Sequence, residues 1–227
     1  MVEKYKINYK ITILAVILIM LIAILVIKFI DDYRFSSISK DINNLLIDSE
    51  SSRIILMYPE IFEIKETDRE KFCEYLDFNT KKQMDKGFKL VNLLKIYEES
   101  NLLADYEITR TQYFLSNVEL YFYTLQSKKY CNNTNLSTIL FFHYSETKCP
   151  DCIVQGQILD KIREKCKNVR IITLAVDLEI SPVELLKSRY NITSAPSLVI
   201  DDKIVIRNIA SEEEILKYLK CVDYDKI

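Results

Sequence analysis

Residues 136–152, LSTILFFHYSETKCPDC, join an apolar run to two cysteines that lie three positions apart. Residues 136–144 have the β-branched and aromatic composition of a strand. A helical pattern begins at Cys149 or Pro150 and continues to about Cys166. Pro150 suits the first helical position, because its missing N–H would have had no partner there. Cys149 is therefore predicted at a strand-to-helix junction.

This position favours a reactive sulfur at Cys149. The free backbone N–H groups of a helix start and the positive end of the helix dipole stabilise a thiolate. Lys148 adds a nearby positive charge. The Asp151 carboxylate stabilises the helix start but raises the pKa of the Cys149 thiol, and the sequence does not show which of these two effects of Asp151 is larger. Cys152 lies one turn into the helix on the same face, so its sulfur can reach that of Cys149.

The segments after the motif alternate between strand and helix patterns. Residues 169–176 have the composition of a buried strand, and residues 181–184 open a short helix with a predicted serine N-cap and a proline at its start. Residues 193–200 and 203–206 predict two more strands, followed by a helix over about 211–222. The predicted order is β-α-β-α-β-β-α, and the predicted fold class is α/β.

This order, the cysteine motif and the proline that enters the third strand together resemble the thioredoxin fold over about residues 136–222. The resemblance implies that Cys149 and Cys152 form a redox pair, and that a cis peptide before Pro196 faces them. It also implies that the backbone of Ala195 pairs with an extended substrate segment. An ordinary trans proline at the start of a strand is the alternative.

His143 is the single histidine of the chain. Relatives with the thioredoxin fold often carry a buried acid at this position, so the resemblance implies that a neutral imidazole could move the proton of Cys152. A histidine packed in the core is the alternative. Lys148 stands where thioredoxin itself carries an aromatic residue, which indicates a more distant member of the superfamily.

A C-x-x-C pair also occurs in metal sites and as an inert structural disulfide. A tetrahedral zinc site needs four ligands, and the candidates near the motif are Cys149, Cys152, His143 and Cys166. The chain has no second C-x-x-C, and His143 belongs to a strand and not to a ligand loop. We therefore predict neither a metal nor another cofactor.

The amino-terminal part predicts a membrane anchor. Residues 11–27 are apolar apart from Thr12, and the run extends past Lys28 to residue 30. About twenty helical residues span the hydrocarbon core of a bilayer. The prediction is a cytoplasmic tail at 1–10 and a transmembrane helix at 11–30 that contacts the lipid bilayer. A cleaved signal peptide is the alternative, but no small-residue cleavage site follows.

Residues 35–130 predict a helical membrane-proximal region of three to four helices, with breaks at Pro59 and at 101–105. Apolar residues in this region repeat at intervals of three and four. The repeating residues are Ile38, Ile42, Leu45 and Leu46, then Met84, Phe88, Val91 and Leu94, then Phe114, Val118, Tyr121 and Leu125. A spacer is the predicted role of the region, and dimerisation or substrate capture are the alternatives.

Composition and cysteine count bear on partners and location. A net charge of −2 over 227 residues does not indicate a nucleic-acid partner. The even number of cysteines, six, fits an oxidising compartment. Beyond the motif, Cys166 can pair with Cys221 and Cys73 with Cys131, or these four remain free thiols. The Lys/Arg counts beside the apolar run are tied, and three glycosylation-type triplets agree with an extracytoplasmic redox domain, residues 136–227. They begin at Asn132, Asn135 and Asn191.

The sequence therefore predicts a single-pass protein of the cell membrane that exchanges thiols and disulfides with other proteins. A membrane redox protein is a candidate electron partner, and the direction of electron flow is open. One alternative is a non-enzymatic, membrane-tethered binding or scaffold module in which Cys149–Cys152 is structural. Another alternative places the same domain in the cytosol as a reductase.

Overall fold

The structure is a computed structural model that describes residues 9–133, 135–144 and 149–221. Within these ranges the chain forms six helices and four strands. In chain order they are α1 (Tyr9–Ile61), α2 (Glu66–Glu99), α3 (Leu103–Tyr130), β1 (Ser137–His143), α4 (Pro150–Lys165), β2 (Val169–Ala175), α5 (Ser181–Arg189), β3 (Ser197–Ile200), β4 (Ile204–Arg207) and α6 (Glu212–Leu216). Residues up to Ile54 form one unit, and residues from Ile55 onward form a second.

The predicted α/β fold class is wrong for the chain as a whole. The structure is 66% helical, and its sheet is small and mixed, with four strands. The reason is that the three- and four-residue repeats before residue 130 belong to long helices, which outweigh the short strands. Pro59 does not end α1, since it lies inside the last turn of that helix.

The predicted transmembrane helix at 11–30 is also wrong. In the parts of the chain that the structure describes, no helix has the length and apolarity that crossing a membrane requires. Residues 11–30 do not form an element of their own, because they belong to α1, a helix of 53 residues that continues into the charged sequence after them. The large apolar side chains from Ile13 to Phe29 are exposed. Most of the predicted tail, residues 1–8, lies outside the described residues.

A turn built around Asn101 separates α2 from α3. Asn101 has a φ of 55°, in the left-handed region that asparagine tolerates better than most residues. The N–H of Leu102 donates to the carbonyl of Tyr97, and the N–H of Asn101 donates to the carbonyl of Glu98. These two bonds form a Schellman motif, which satisfies the last carbonyls of α2 and lets α3 pack back along it.

The sheet has the strand order β2-β1-β3-β4. Strands β1 and β2 are parallel and joined through α4, whereas β3 runs antiparallel to both β1 and β4. Alternate residues of β1 enter two different cores, as the pleat of a strand requires. Leu140 and Phe142 pack with side chains of α3 and α5, and Ile139 and Phe141 pack with side chains of α4 and α6. The sheet therefore carries helices on both faces.

Asp201 connects the β3–β4 turn to the rest of the sheet. Its Oδ1 accepts hydrogen bonds from the Thr138 N–H at 2.7 Å and from the Lys128 Nζ at 2.6 Å. Burial acts to raise the pKa of Asp201, but the bonds from Lys128 and Thr138 outweigh it and hold this pKa below its usual value. Burial lowers the pKa of Lys128 although Asp201 opposes that effect. In the acid range Lys128 stays charged, so Asp201 is the member of this pair that titrates there.

Asp201→Asn is expected to destabilise the protein at neutral pH and to reduce its sensitivity to acid. Because folding lowers the pKa of Asp201, its contribution is fully present above about pH 4, the unfolded value, and is lost as the pH falls through the folded value. Asparagine tolerates the φ of 50° found here. Urea unfolding at neutral and acid pH measures the effect, with Asp160→Asn, at an exposed position, as the control. An equal loss of stability at both pH values would contradict the prediction.

Candidate active site

The two cysteines of the motif lie at the start of α4, directly after the segment that follows β1. Cys149 is the N-cap residue, and Pro150 is the first residue of the helix. The sulfur of Cys149 accepts a hydrogen bond from the Cys152 N–H at 3.1 Å, so the side chain itself caps the helix. Cys149 and Cys152 are joined in a disulfide and are only 6% and 5% exposed.

The segment before β3 lies beside this disulfide. The sulfur of Cys149 is 3.9 Å from the carbonyl oxygen of Ala195. The Ala195–Pro196 peptide bond is cis, and β3 begins at the next residue, Ser197. Pro196 is buried, whereas Ala195 is partly exposed. The structure thus brings four of the predicted site residues, Cys149, Cys152, Ala195 and Pro196, into one place.

His143 ends β1 and packs among aromatic rings. Its ring centroid lies 5.1 Å from that of Phe141 and 5.8 Å from that of Phe114. Its Nδ1 is 2.9 Å from the carbonyl oxygen of Tyr144. Phe141, two residues earlier on the same strand, packs in the cluster that contains both cysteines. His143 is only partly buried, and its part in moving a proton stays a prediction.

One hydrogen-bond donor to the sulfur of Cys149 is visible in the structure, and it is the N–H of Cys152. A hydrogen bond to the charged form favours a thiolate, as does the helix dipole. Asp151 is exposed in the first turn of α4. Lys148 lies outside the described residues, so its predicted effect stays a prediction.

Both proposed disulfides outside the motif are formed. Cys73 pairs with Cys131, and Cys166 pairs with Cys221, so all six cysteines are oxidised. Cys166 is thereby removed from the set of candidate zinc ligands around the motif. Throughout the described ranges, no group of three or more His, Cys, Asp or Glu residues is arranged to hold a metal ion.

Sequence reasoning missed Gln155. The buried face of α4 consists of Cys152, Gln155, Leu159 and Ile162, so a carboxamide occupies one position of an otherwise apolar or sulfur-bearing stripe. Gln155 is fully buried, and its Oε1 accepts a hydrogen bond from the Ala210 N–H at 2.8 Å. The signal in the sequence is a polar residue at a spacing of three from Cys152 and four from Leu159, on the helix face that must be buried.

Comparisons with protein families, curated proteins and solved structures find no match for this chain. The resemblance to the thioredoxin superfamily therefore stays a prediction. The chemistry open to the site follows from what surrounds its two sulfurs. The two sulfurs form a disulfide at a helix N-terminus. A backbone carbonyl oxygen lies 3.9 Å from the sulfur of Cys149, and a buried core lies beneath both sulfurs.

Proposed function

We propose that this protein is a thiol–disulfide oxidoreductase that exchanges electrons with cysteines of other proteins. One observation carries the proposal: the Cys149–Cys152 disulfide caps the start of α4, with the Ala195 carbonyl oxygen 3.9 Å from the sulfur of Cys149. A helix N-terminus activates one cysteine of such a pair, and a second cysteine one turn later can release what the first has bound.

The reaction in the reducing direction has two steps. The Cys149 thiolate attacks one sulfur of a substrate disulfide, whose S–S bond breaks, and the other substrate sulfur leaves as a thiolate. The Cys152 thiolate then attacks the sulfur of Cys149, which forms the intramolecular disulfide and frees the second substrate sulfur. Two electrons pass to the substrate, and the protons lost by Cys149 and Cys152 are balanced by those that the two substrate thiolates take up. The same steps reversed oxidise a substrate dithiol.

The surroundings of Cys149 suit a polypeptide substrate. Ala195 is partly exposed, and its backbone can pair with an extended segment that presents a cysteine to Cys149. Ile153, in the first turn of α4, is 44% exposed, and the neighbouring Pro150 is exposed as well. These apolar groups offer contact area to the residues that flank a substrate cysteine.

The three disulfides support an oxidising compartment as the place where the redox domain acts. Structural disulfides persist outside the cytosol and are rare where thiols are kept reduced. The proposal therefore places the domain outside the cytoplasm. Labelling intact cells with a membrane-impermeant thiol reagent, after gentle reduction, tests this placement. Labelling that appears only after the cells are lysed would move the domain to the cytosol.

The rival function is a scaffold in which Cys149–Cys152 is a permanent crosslink, and the burial of both sulfurs favours it. Alkylation after mild reduction separates the two functions. We expect Cys149 to react first, as read by mass spectrometry, while Cys166 and Cys73 stay protected in their disulfides. The same protein alkylated after denaturation and full reduction is the control for reagent bias. A Cys149 that reacts no faster than Cys166 would contradict the oxidoreductase proposal.

A further inference from the structure

The buried face of α4 contains a hydrogen-bond donor that has no partner in the part of the chain that the structure describes. Gln155 is fully buried, and its Nε2 makes no hydrogen bond with any described residue. Its Oε1 is held by the Ala210 N–H at 2.8 Å, which fixes the plane of the carboxamide. Buried donors are nearly always paired in folded proteins, so one left unpaired calls for an explanation. The unpaired group here is an N–H₂ with two protons to donate.

Cys152 is the polar neighbour of this amide on the same helix face. Residues three apart on a helix are adjacent, so the side chains of Cys152 and Gln155 leave α4 next to one another. Both residues are buried, and the other buried members of the core that Cys152 enters are apolar side chains and the sulfurs of Cys149 and Cys166. The Gln155 Nε2 therefore has few hydrogen-bond acceptors near it.

Reduction of the disulfide changes what Cys152 requires. In the oxidised protein its sulfur is bonded to that of Cys149 and carries no charge. In the reduced protein the two sulfurs separate to nonbonded contact, and the second step needs Cys152 as a thiolate. Its burial opposes that charge. The N–H of Cys152 is directed at the sulfur of Cys149, so the helix start assists the first cysteine and not the second.

We propose that Gln155 is a positioning residue for the second step, and that its Nε2 donates a hydrogen bond to the sulfur of Cys152 when the pair is reduced. The inference rests on the proposed function and deepens it. The carboxamide stabilises the Cys152 thiolate and aims it at the sulfur of Cys149. The same side chain holds the segment before α6 through Ala210, so the donor keeps its place while the disulfide opens and closes.

Few titratable groups share this face of α4. On β1 the titratable residue is His143, and β3 has none between Ser197 and Ile200. Arg170 of β2 bonds to Thr124 of α3, on the other side of the sheet. At the start of α6, Glu212 pairs with Lys165, which lies in the last turn of α4, away from the motif. The pKa of Cys152 is therefore to be compared with that of Cys149. His143 is the nearby titratable group whose charge is considered when the two values are interpreted.

Variants with one free thiol test the inference directly. In a Cys149→Ser background Cys152 is the one unpaired cysteine, because the other four form two disulfides. Ultraviolet absorbance of the thiolate against pH then gives the pKa of Cys152. Adding Gln155→Met, which keeps the length and removes the donor, is expected to raise this pKa and to reduce the thiolate fraction at neutral pH by about tenfold. Gln157→Met, at an exposed position of α4, is the matched control and should leave the pKa unchanged.

Two further measurements separate this role from a structural one. Gln155→Glu keeps the acceptor for Ala210 and replaces the donor by a carboxylate, whose charge adds to the loss of the hydrogen bond, so it should raise the pKa of Cys152 further than Gln155→Met does. In a Cys152→Ser background, Gln155→Met should leave the pKa of Cys149 unchanged. If Gln155 serves only Ala210, Gln155→Met will leave the pKa of Cys152 unchanged, and that result overturns the inference. Absence of exchange by the unaltered protein would instead overturn the proposed function, a separate readout.

Discussion

Cys149→Ser is expected to abolish thiol–disulfide exchange, with a loss of roughly a thousandfold or more in rate, because the covalent nucleophile is gone. Serine is a good N-cap residue, and its oxygen can accept the Cys152 N–H as the sulfur does. The start of α4 should therefore survive the substitution, so a loss of activity reports on chemistry and not on folding. Turnover of a protein disulfide substrate by a dithiol reductant measures the rate.

Cys152→Ser is the matched partner of this experiment. It removes the resolving thiol and leaves Cys149 at its N-cap position, so the first attack proceeds and the mixed disulfide with the substrate persists. Non-reducing electrophoresis with mass spectrometry should show a covalent complex through Cys149 in this variant and none in Cys149→Ser. Complexes formed equally well by both variants, or exchange that survives Cys149→Ser, would contradict the assigned order of the two cysteines.

Exposure does not determine which cysteine attacks first. Cys149 and Cys152 are almost equally buried, so a ranking by solvent access fails. What distinguishes them is position: Cys149 receives the N–H of Cys152 and has the Ala195 carbonyl oxygen 3.9 Å from its sulfur. In the proposed reaction, a substrate segment that pairs with the partly exposed Ala195 backbone would meet Cys149 before Cys152.

Elements after residue 136 could be predicted because each one has a local signal. Pro150 begins α4, and Ser211 caps α6 by accepting the Glu214 N–H at 3.2 Å. Several boundaries are wrong: Ser181 was predicted as the N-cap of α5 but is its first helical residue. The helix predicted over about 211–222 ends at Leu216, and the strand predicted over 193–200 begins at Ser197. Capping signals determine where a helix begins only to within about one or two residues.

Features that depend on distant parts of the chain could not be predicted. An apolar repeat indicates a helix but not how far that helix continues. The sequence therefore did not predict that residues 11–30 and the residues up to Ile61 form one helix. For the four cysteines outside the motif, the sequence proposed the two pairs that are found but left free thiols as the alternative, and the packing of the elements decides between these. That the Nε2 of Gln155 has no partner among the described residues likewise becomes visible only in the folded structure.

Replacing Cys73 and Cys131 together by alanine is expected to lower the free energy of unfolding by about 4 kcal/mol, in the chain-entropy account of crosslinks. The two cysteines are 58 positions apart and join α2 to the residue that follows α3. Without the crosslink, the unfolded chain regains the freedom of that long loop, and the hairpin of α2 and α3 relies on packing alone. Urea unfolding under non-reducing conditions measures the change.

The Cys166–Cys221 pair is the control for the experiment on Cys73 and Cys131. Its cysteines are 55 positions apart, so the loop-length term predicts nearly the same loss for its double alanine variant. The Cys149–Cys152 bond closes a separation of three, for which the same relation gives about 1.6 kcal/mol. Because the N-cap position favours the thiolate form of Cys149, a gradual reductive titration should open the motif first while the other two pairs stay closed. A motif that opens last would leave Cys149–Cys152 as a structural crosslink and would remove the physical basis for exchange.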